Sequence, residues 1–265
     1  MIDLWASLAV LAAAVLLCEA TRRAAARLFR GAYRIYPLET VSTFQLCCCT
    51  HELKLLTQTA RLDPSTSLAL TYAITVIHLL TFREATCNPN AALESVCRGS
   101  RSGTAAAVLI AFQFGAAVAA RFFAASVWSL GLSDMHLRHQ RFGFRCFDPL
   151  GGTVLEAAAA ELACAFTVQA AVMHAHKLED KLRAPFLAAV ITAAVYAGGG
   201  TSGAVFNPAL AFSVQFPCSG HTYLEYVFIY WLGPVLGMAS CILLFEKIVP
   251  FLSGKSSAAQ KRKTQ

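Results

Sequence analysis

Charge is what this chain has least of. Asp, Glu, Lys and Arg make up 14% of its 265 residues against 57% hydrophobic ones, and the mean hydropathy is +0.55. A soluble chain covers its surface with roughly 25% charged residues, so the shortage argues against a soluble globule and for burial in lipid. It also excludes a disordered or collagen-like chain. Other absences narrow the reading further. The ten cysteines include no Cys-x-x-Cys pair and no framework in a polar loop, so they read mainly as small buried hydrophobes. No Asn-x-Ser/Thr sequon occurs, and the first residues, Met-Ile-Asp-Leu-Trp, carry an acid where a cleavable signal carries Lys or Arg, so the N-terminus reads as retained. The net charge of +7 is dispersed in short clusters between apolar runs, with no aromatic-interleaved basic stripe, which argues against nucleic acid as a partner.

What is present is a series of long apolar runs: approximately Leu4 to Ala20, Ile35 to Leu56, Ser67 to Phe82, Thr104 to Leu130, Thr153 to His174, Pro185 to Ala197 and Leu224 to Val249. A bilayer crossing needs roughly 20 helical residues, so seven spanning helices are expected, and runs this long exclude a barrel of strands about 10 residues long. Two further apolar pieces, beginning at Asn88 and Asn207, are too short to span and are expected as surface or re-entrant segments. With the N-terminus outside, the cytosolic segments hold 16 of the 22 Lys and Arg residues, as the positive-inside rule prefers. The loop from Ser133 to Asp148 runs against that rule, with Arg138, Arg141 and Arg145 on the far side.

The chain repeats itself. Glu39 opens one membrane helix and precedes Asn88-Pro89; Glu161 lies in another and precedes Asn207-Pro208. Each half holds two spans, an Asn-Pro segment and a third span, and three crossings invert the second copy relative to the first. Asn is a strong N-cap and Pro is favoured at the first helical position, so both pairs read as helix starts that meet near the midplane. Each adds a partial positive charge, about +0.5, and an amide NH2 free to donate to a solute. Such a centre suits neutral hydrogen-bonding molecules, repels cations and opposes proton relay.

These residues resemble the aquaporin superfamily, with its paired Asn-Pro-Ala boxes. Ala197-Gly-Gly-Gly-Thr-Ser-Gly-Ala-Val-Phe-Asn-Pro-Ala-Leu210 and Tyr230-Trp-Leu-Gly-Pro-Val-Leu-Gly237 carry the likeness over about residues 35 to 250. Phe44-Gln-Leu-Cys-Cys-Cys-Thr-His-Glu-Leu53, Trp128-Ser-Leu-Gly-Leu132 and Cys218 are similar to the superaquaporin branch, of the aquaporin-11 and aquaporin-12 type, closer to the former.

The resemblance implies an all-α membrane protein: six transmembrane helices and two re-entrant half-helices, preceded here by an extra N-terminal apolar helix. Residues 1–34 would form that helix and a basic linker. Residues 35–250 would be the channel, with repeats at about 35–131 and 153–250, and residues 251–265 a basic cytosolic tail. It further implies a passive channel for water and small neutral solutes, glycerol and hydrogen peroxide among them, without enzyme activity, metal or cofactor, surrounded by lipid as a homotetramer in the endoplasmic reticulum or another membrane. The half-helix motifs would be Asn88, Pro89 and Asn90, and Asn207, Pro208 and Ala209. Asn90 replaces the family's small Ala, and Leu210 stands where water-selective members carry Arg. The other filter positions fall at Ala204, Val195 and Leu68, making an apolar ring that returns few hydrogen bonds to water.

Glu39 and Glu161 are expensive inside a membrane; the resemblance gives them a structural role, accepting from the backbone of the re-entrant loops. Gly233 and Gly237 read as close helix packing, Gly198, Gly199, Gly200 and Gly203 as supplying unusual φ values to a pore-lining loop, and Cys218 as a packed thiol in preference to a redox-sensitive one. Cys47, Cys48, Cys49 and His51 cannot converge on one ion, because successive helical residues point about 100° apart. Two other readings stay open: a coupled secondary transporter, which would need an ionisable group at the site, and a structural membrane protein with a vestigial pore.

Overall fold

The computed structural model describes residues 2–59, 62–146 and 150–253; the basic tail, with Lys261 and Lys263, lies outside the described residues. Seven long helices account for the seven runs: α1 (Ile2–Leu28), α2 (Ile35–Thr59), α3 (Pro64–Thr81), α5 (Gly103–Ser129), α7 (Val154–Ala175), α8 (Asp180–Ser202) and α10 (Tyr223–Leu252). Between them stand the two half-helices, α4 (Pro89–Cys97) and α9 (Pro208–Val214), and a short outer helix, α6 (Asp134–Arg141). No β-strand occurs among the described residues. The protein is an all-α membrane bundle, and helices are what lipid demands, because a spanning segment must satisfy its backbone internally.

Five of the long helices, α1, α5, α7, α8 and α10, are long and apolar enough to cross a membrane on their own composition. α2 and α3 are not among them. α2 carries Glu39, Gln45, His51, Glu52 and Lys54, but Glu39, Gln45 and Glu52 are buried against protein, so the bundle shields from lipid much of what the sequence makes polar. Local chemistry sets the ends. Asp63 caps α3 with Pro64 at its first position. Hydrogen bonds from the Ser65 side chain and the Thr66 backbone hold its carboxyl down at about 2. Ser102 caps α5, while Thr153 with Glu156 and Thr222 with Glu225 form reciprocal capping boxes on α7 and α10.

The two halves share one packing plan. In the first, α2 packs on α3 and α5; in the second, α7 packs on α8 and α10. Each half-helix crosses to the other half, α9 onto α5 and α4 onto α10, while α3 meets α8 and α4 meets α9 at the centre. α1 has no counterpart: it lies on α2, where Leu11 and Ala14 pack with Cys49 and with Ile74 of α3. Arg22 of α1 is fully buried, donating to Gln45 Oε1 at 2.8 Å.

The glycines act differently from the sequence expectation. Gly198, Gly199 and Gly200 lie inside α8, and of the four only Gly203 is left-handed, with φ 85°. The left-handed loop positions are Ala204 and Phe206 in the second half and Cys87 in the first. Of the α8 glycines Gly198 serves close approach instead: a Cβ on it would stand 3.0 Å from Cys164 Sγ, whereas nothing stands within 4 Å of one on Gly199 or Gly200. The segment read as a loop from Ser133 contains α6, because Ser133 caps it and Met135 and His136 bury.

Gly237 seats α10 on α7 so tightly that a Cβ there would meet Leu162 O at 2.3 Å, whereas nothing stands within 4 Å of one on Gly115 of α5. Gly237→Ala is therefore expected to lower the unfolding temperature in detergent: the overpacking costs about 1–3 kcal/mol, more than the gain of about 1 kcal/mol in helix propensity. Gly115→Ala, which gains the propensity alone, should be neutral or stabilising. Equal effects of the two substitutions would remove the packing argument.

Candidate functional site

The site is built where the two half-helices begin. Asn88 adopts an extended conformation at φ −143°, and its side chain accepts from Asn90 N at 3.0 Å. Asn207 does the same at φ −147°, accepting from Ala209 N at 3.1 Å and Leu210 N at 3.3 Å. Pro89 and Pro208 follow at the first helical positions, both buried. The capping oxygens thus satisfy first-turn N–H groups, and the prolines remove two more that would need partners.

The amides bind the halves together. Asn88 Nδ2 donates to Phe206 O at 3.4 Å, and Asn207 Nδ2 donates to Cys87 O at 2.7 Å. Each Asn therefore fixes its own helix start and reaches across to the other loop. This amends the expectation of free NH2 groups: each amide has two protons, and one of them goes to the opposite loop.

Both loops are hung from buried carboxylates. Glu39 accepts from Thr86 N and Oγ1, each at 3.1 Å, from Cys87 N, and from Gln113 Nε2 of α5 at 2.7 Å. Glu161 accepts from Ser202 Oγ at 2.6 Å, Val205 N at 3.0 Å and Phe206 N at 2.5 Å. Both glutamates are fully buried. Each carboxylate accepts from the N–H of the residue whose carbonyl receives the opposite Asn, Cys87 in one loop and Phe206 in the other. Tyr230 of α10 steadies the second loop by donating to Ser202 O at 2.6 Å.

Asn90 is buried, and its Oδ1 has no partner among the described residues. Leu210 packs between two apolar clusters, one around Tyr226 and Tyr230 and one around Cys47 and Ala117. Ala204 clusters with Cys164 and Ala194. Val195 on α8 and Leu68 on α3 are half-buried, on two helices that pack together. Gly233 and Gly237 line the α7 contact, where a Cβ on Gly233 would stand 3.0 Å from Ala158 O.

Cys218 is not a packed thiol. It forms a disulfide with Cys146, 72 residues away, which ties the loop after α6 to the exit of α9. Of the remaining cysteines all but Cys97 are buried. Among the described residues no group of His, Cys, Asp or Glu could hold a metal ion.

Sequence reasoning passed over Glu52. It is buried, accepting from Ser7 Oγ of α1 at 2.5 Å and Trp128 Nε1 of α5 at 2.8 Å, with His136 Nε2 of α6 at 3.1 Å. The rule that singled out Glu39, that a carboxylate in an apolar run is costly unless paired, applies equally to Glu52 and would have found it. His51 also reaches α9, at 3.0 Å from Ser213 Oγ.

If Glu161 carries its loop, Glu161→Ala leaves the N–H groups of Val205 and Phe206 without their acceptor, a loss on the order of 3 kcal/mol. The purified variant should unfold at a clearly lower temperature, with Glu161→Gln in between. An alanine variant as stable as the parent would show that the loop stands without its carboxylate.

The major intrinsic protein family matches residues 85–245 of the chain. The chain is 36% identical to human aquaporin-11 (Homo sapiens) over 260 residues, covering 98% of this chain and 95% of the relative. It is 34% identical to mouse aquaporin-11 (Mus musculus) over 235 residues, 89% and 86% of the two chains. Mouse aquaporin-12 is 32% identical over 257 residues, 95% and 89%.

Proposed function

Because the chain belongs to the major intrinsic protein family, the aquaporins, and so is a membrane channel rather than an enzyme, we propose that it passes water and small neutral solutes, glycerol and hydrogen peroxide included, through an intracellular membrane. The observation that carries this reading is the neutral centre. Two half-helix starts are held together by Asn88 and Asn207, each with one amide proton left for a solute, and no ionisable side chain is part of either motif. A coupled transporter needs such a group, so the centre favours passive passage. The helix starts repel cations, and a solute oriented by two donors interrupts proton relay.

Leu210, Ala204, Val195 and Leu68 are the filter in this reading. An apolar ring without Arg strips water and gives back few hydrogen bonds, which slows water and suits solutes with apolar surface. The protein surrounds itself with lipid and assembles as a homotetramer, one pore per subunit, as the family resemblance implies. The test is stopped-flow light scattering on proteoliposomes of the purified protein, comparing entry of water, glycerol and hydrogen peroxide. Entry no faster than in empty vesicles for all three would favour a structural protein with a closed pore, the reading that Asn90 and Leu210 motivate.

Two substitutions probe the conduit. Asn207→Asp sets a carboxylate at a positive helix start and should admit cations while spoiling neutral-solute selectivity; unchanged solute flux with no cation leak, at normal expression, counts against the channel centre. Leu210→Arg should narrow the filter and reduce glycerol entry more than water entry, whereas equal losses would place Leu210 away from the conduit.

The address rests on two supports. The Cys146–Cys218 disulfide requires an oxidising compartment on the side that the positive-inside count makes non-cytosolic. The tail Lys261-Arg-Lys-Thr-Gln265 has the lysine spacing of a dilysine retrieval signal for the endoplasmic reticulum. Lys261→Ser with Lys263→Ser should send a tagged protein to the plasma membrane, and moving both lysines two residues upstream should do likewise at unchanged charge. Retention of both variants would end the retrieval reading and leave a basic tail that orients the protein and touches anionic lipid.

A further inference from the structure

Where α1 ends and the chain turns into α2 stand Arg22, Arg23, Arg27, Arg30 and Arg34. We propose that the exposed part of this corner is a docking surface for a phosphoinositide, an anionic phospholipid of the cytosolic leaflet whose inositol headgroup carries a phosphate monoester.

Arg22 turns inward and is spent on Gln45 and Glu19. Arg23, Arg27 and Arg30 are exposed. Arg23 and Arg27, four residues apart, share the outer face of α1, and Arg30 and Arg34 bracket the 3₁₀ turn Gly31–Arg34. The acid at hand is Glu19, and it faces three guanidinium groups, those of Arg22, Arg23 and Arg83, at 3.2, 2.8 and 3.1 Å. Arg27, Arg30 and Arg34 enter no ion pair among the described residues, and Arg34 Nε is buried without a hydrogen-bond partner among them. Glu84, beside Arg83, is exposed, and Glu39 is spent on the first re-entrant loop. Six arginines therefore stand against Glu19 and Glu84. Residues 254–265, which lie outside the described residues, contain no Asp or Glu to alter that balance.

The corner belongs to the cytosolic face. α1 begins beside α6, where Met135 N donates to Asp3 Oδ1 at 3.1 Å, on the side of the Cys146–Cys218 disulfide. A disulfide marks an oxidising compartment, and α1, 27 residues long, ends about 40 Å away on the opposite face. The cytosolic leaflet is the one that displays anionic lipid. Guanidinium groups bind phosphate oxygens as planar forks, and a monoester presents three such oxygens, one more than the diester of an ordinary phospholipid. Leu28, Phe29 and Tyr33 are exposed among the arginines, and Leu16 and Leu17 are exposed further back along α1. The first group holds aromatic residues of the kind that settle at a membrane interface, and the second gives acyl chains a side to lie on. A lipid engages all of these; a soluble phosphate engages the arginines alone.

The test titrates the purified full chain in detergent with three ligands, read by microscale thermophoresis: dioctanoyl phosphatidylinositol phosphate, dioctanoyl phosphatidylserine, and inositol bisphosphate, the headgroup freed of its lipid. Saturable binding of phosphatidylinositol phosphate is expected, at least tenfold tighter than either of the others. Arg27→Gln with Arg30→Gln removes two exposed charges and should weaken it more than tenfold, at about fivefold per arginine. Lys177→Gln with Lys181→Gln removes the same charge from the turn of α7 into α8, where both lysines are exposed, and should leave the affinity within twofold. Because all four side chains are exposed, both variants are expected to keep the parent's unfolding temperature. The proposal is overturned if phosphatidylinositol phosphate shows no saturable binding, or if phosphatidylserine binds as tightly, which leaves only a general attraction of unlike charges. It is equally overturned if the free headgroup binds as tightly, which makes the corner a soluble-phosphate site, or if the two double variants lose affinity alike. Every readout is binding in detergent, so failure here is distinct from failure of the channel reading, which solute flux decides.

Discussion

Two stretches of irregular backbone have to survive inside a membrane, and the molecule is organised around the carboxylates that make this tolerable. Residues 85–88 and 203–207 are not helical, and unpaired N–H groups at that depth would each cost several kcal/mol. Glu39 and Glu161 receive them. With the N–H groups turned to the carboxylates, the carbonyls of Cys87 and Phe206 are left to accept from the opposite Asn. The junction between the halves thus follows from how each half solves its own desolvation problem. The left-handed φ values at Cys87, Ala204 and Phe206 belong to the same solution, because a regular helix could not turn those N–H groups toward one acceptor.

Much of this was legible beforehand for a simple reason: polar residues are so few that each one in an apolar run carries information. The chain has three asparagines, and all of them stand in the two Asn-Pro motifs. Run length gave the long helices to within a few residues at most ends, and the repeat of Glu with Asn-Pro gave the inversion. What stayed hidden depends on distance between segments. Cys146 and Cys218 are 72 residues apart and neither lies in a pattern, so nothing local distinguishes a bridge from two packed thiols. The glycines misled because Gly permits both unusual φ and close approach; Gly198 uses the second and Gly199 and Gly200 neither, while Ala204 and Phe206, with side chains, take the strained positions.

The outer side is held by a second polar hub that the pore does not share. Glu52 gathers Ser7, Trp128 and His136 from three different helices, so α1, α5 and α6 are registered against α2 by one side chain. A buried acid of this kind specifies geometry because its partners must all arrive together. Lys54 and His51, one turn or less away on α2, meet the exit of α9. α2 therefore serves three structures at once: the first re-entrant loop at its start, the extra helix along its side, and the second half-helix at its end.

That extra helix breaks an equivalence that the repeat would otherwise impose. In plan the flank formed by α2 and α3 corresponds to the flank formed by α7 and α8, yet α1 occupies only the first, fastened by Arg22 and Ser7. What the first flank shows its surroundings is consequently the outer side of α1, with Ile2, Trp5, Leu16 and Leu17 exposed, and not the helices of the repeat. A neighbour of any kind, lipid or protein, meets a large aliphatic and aromatic surface on one side of the subunit and the bare repeat on the other. The pseudo-two-fold that organises the interior thus ends at the perimeter, and the two halves can change independently in what they touch while remaining constrained in what they enclose.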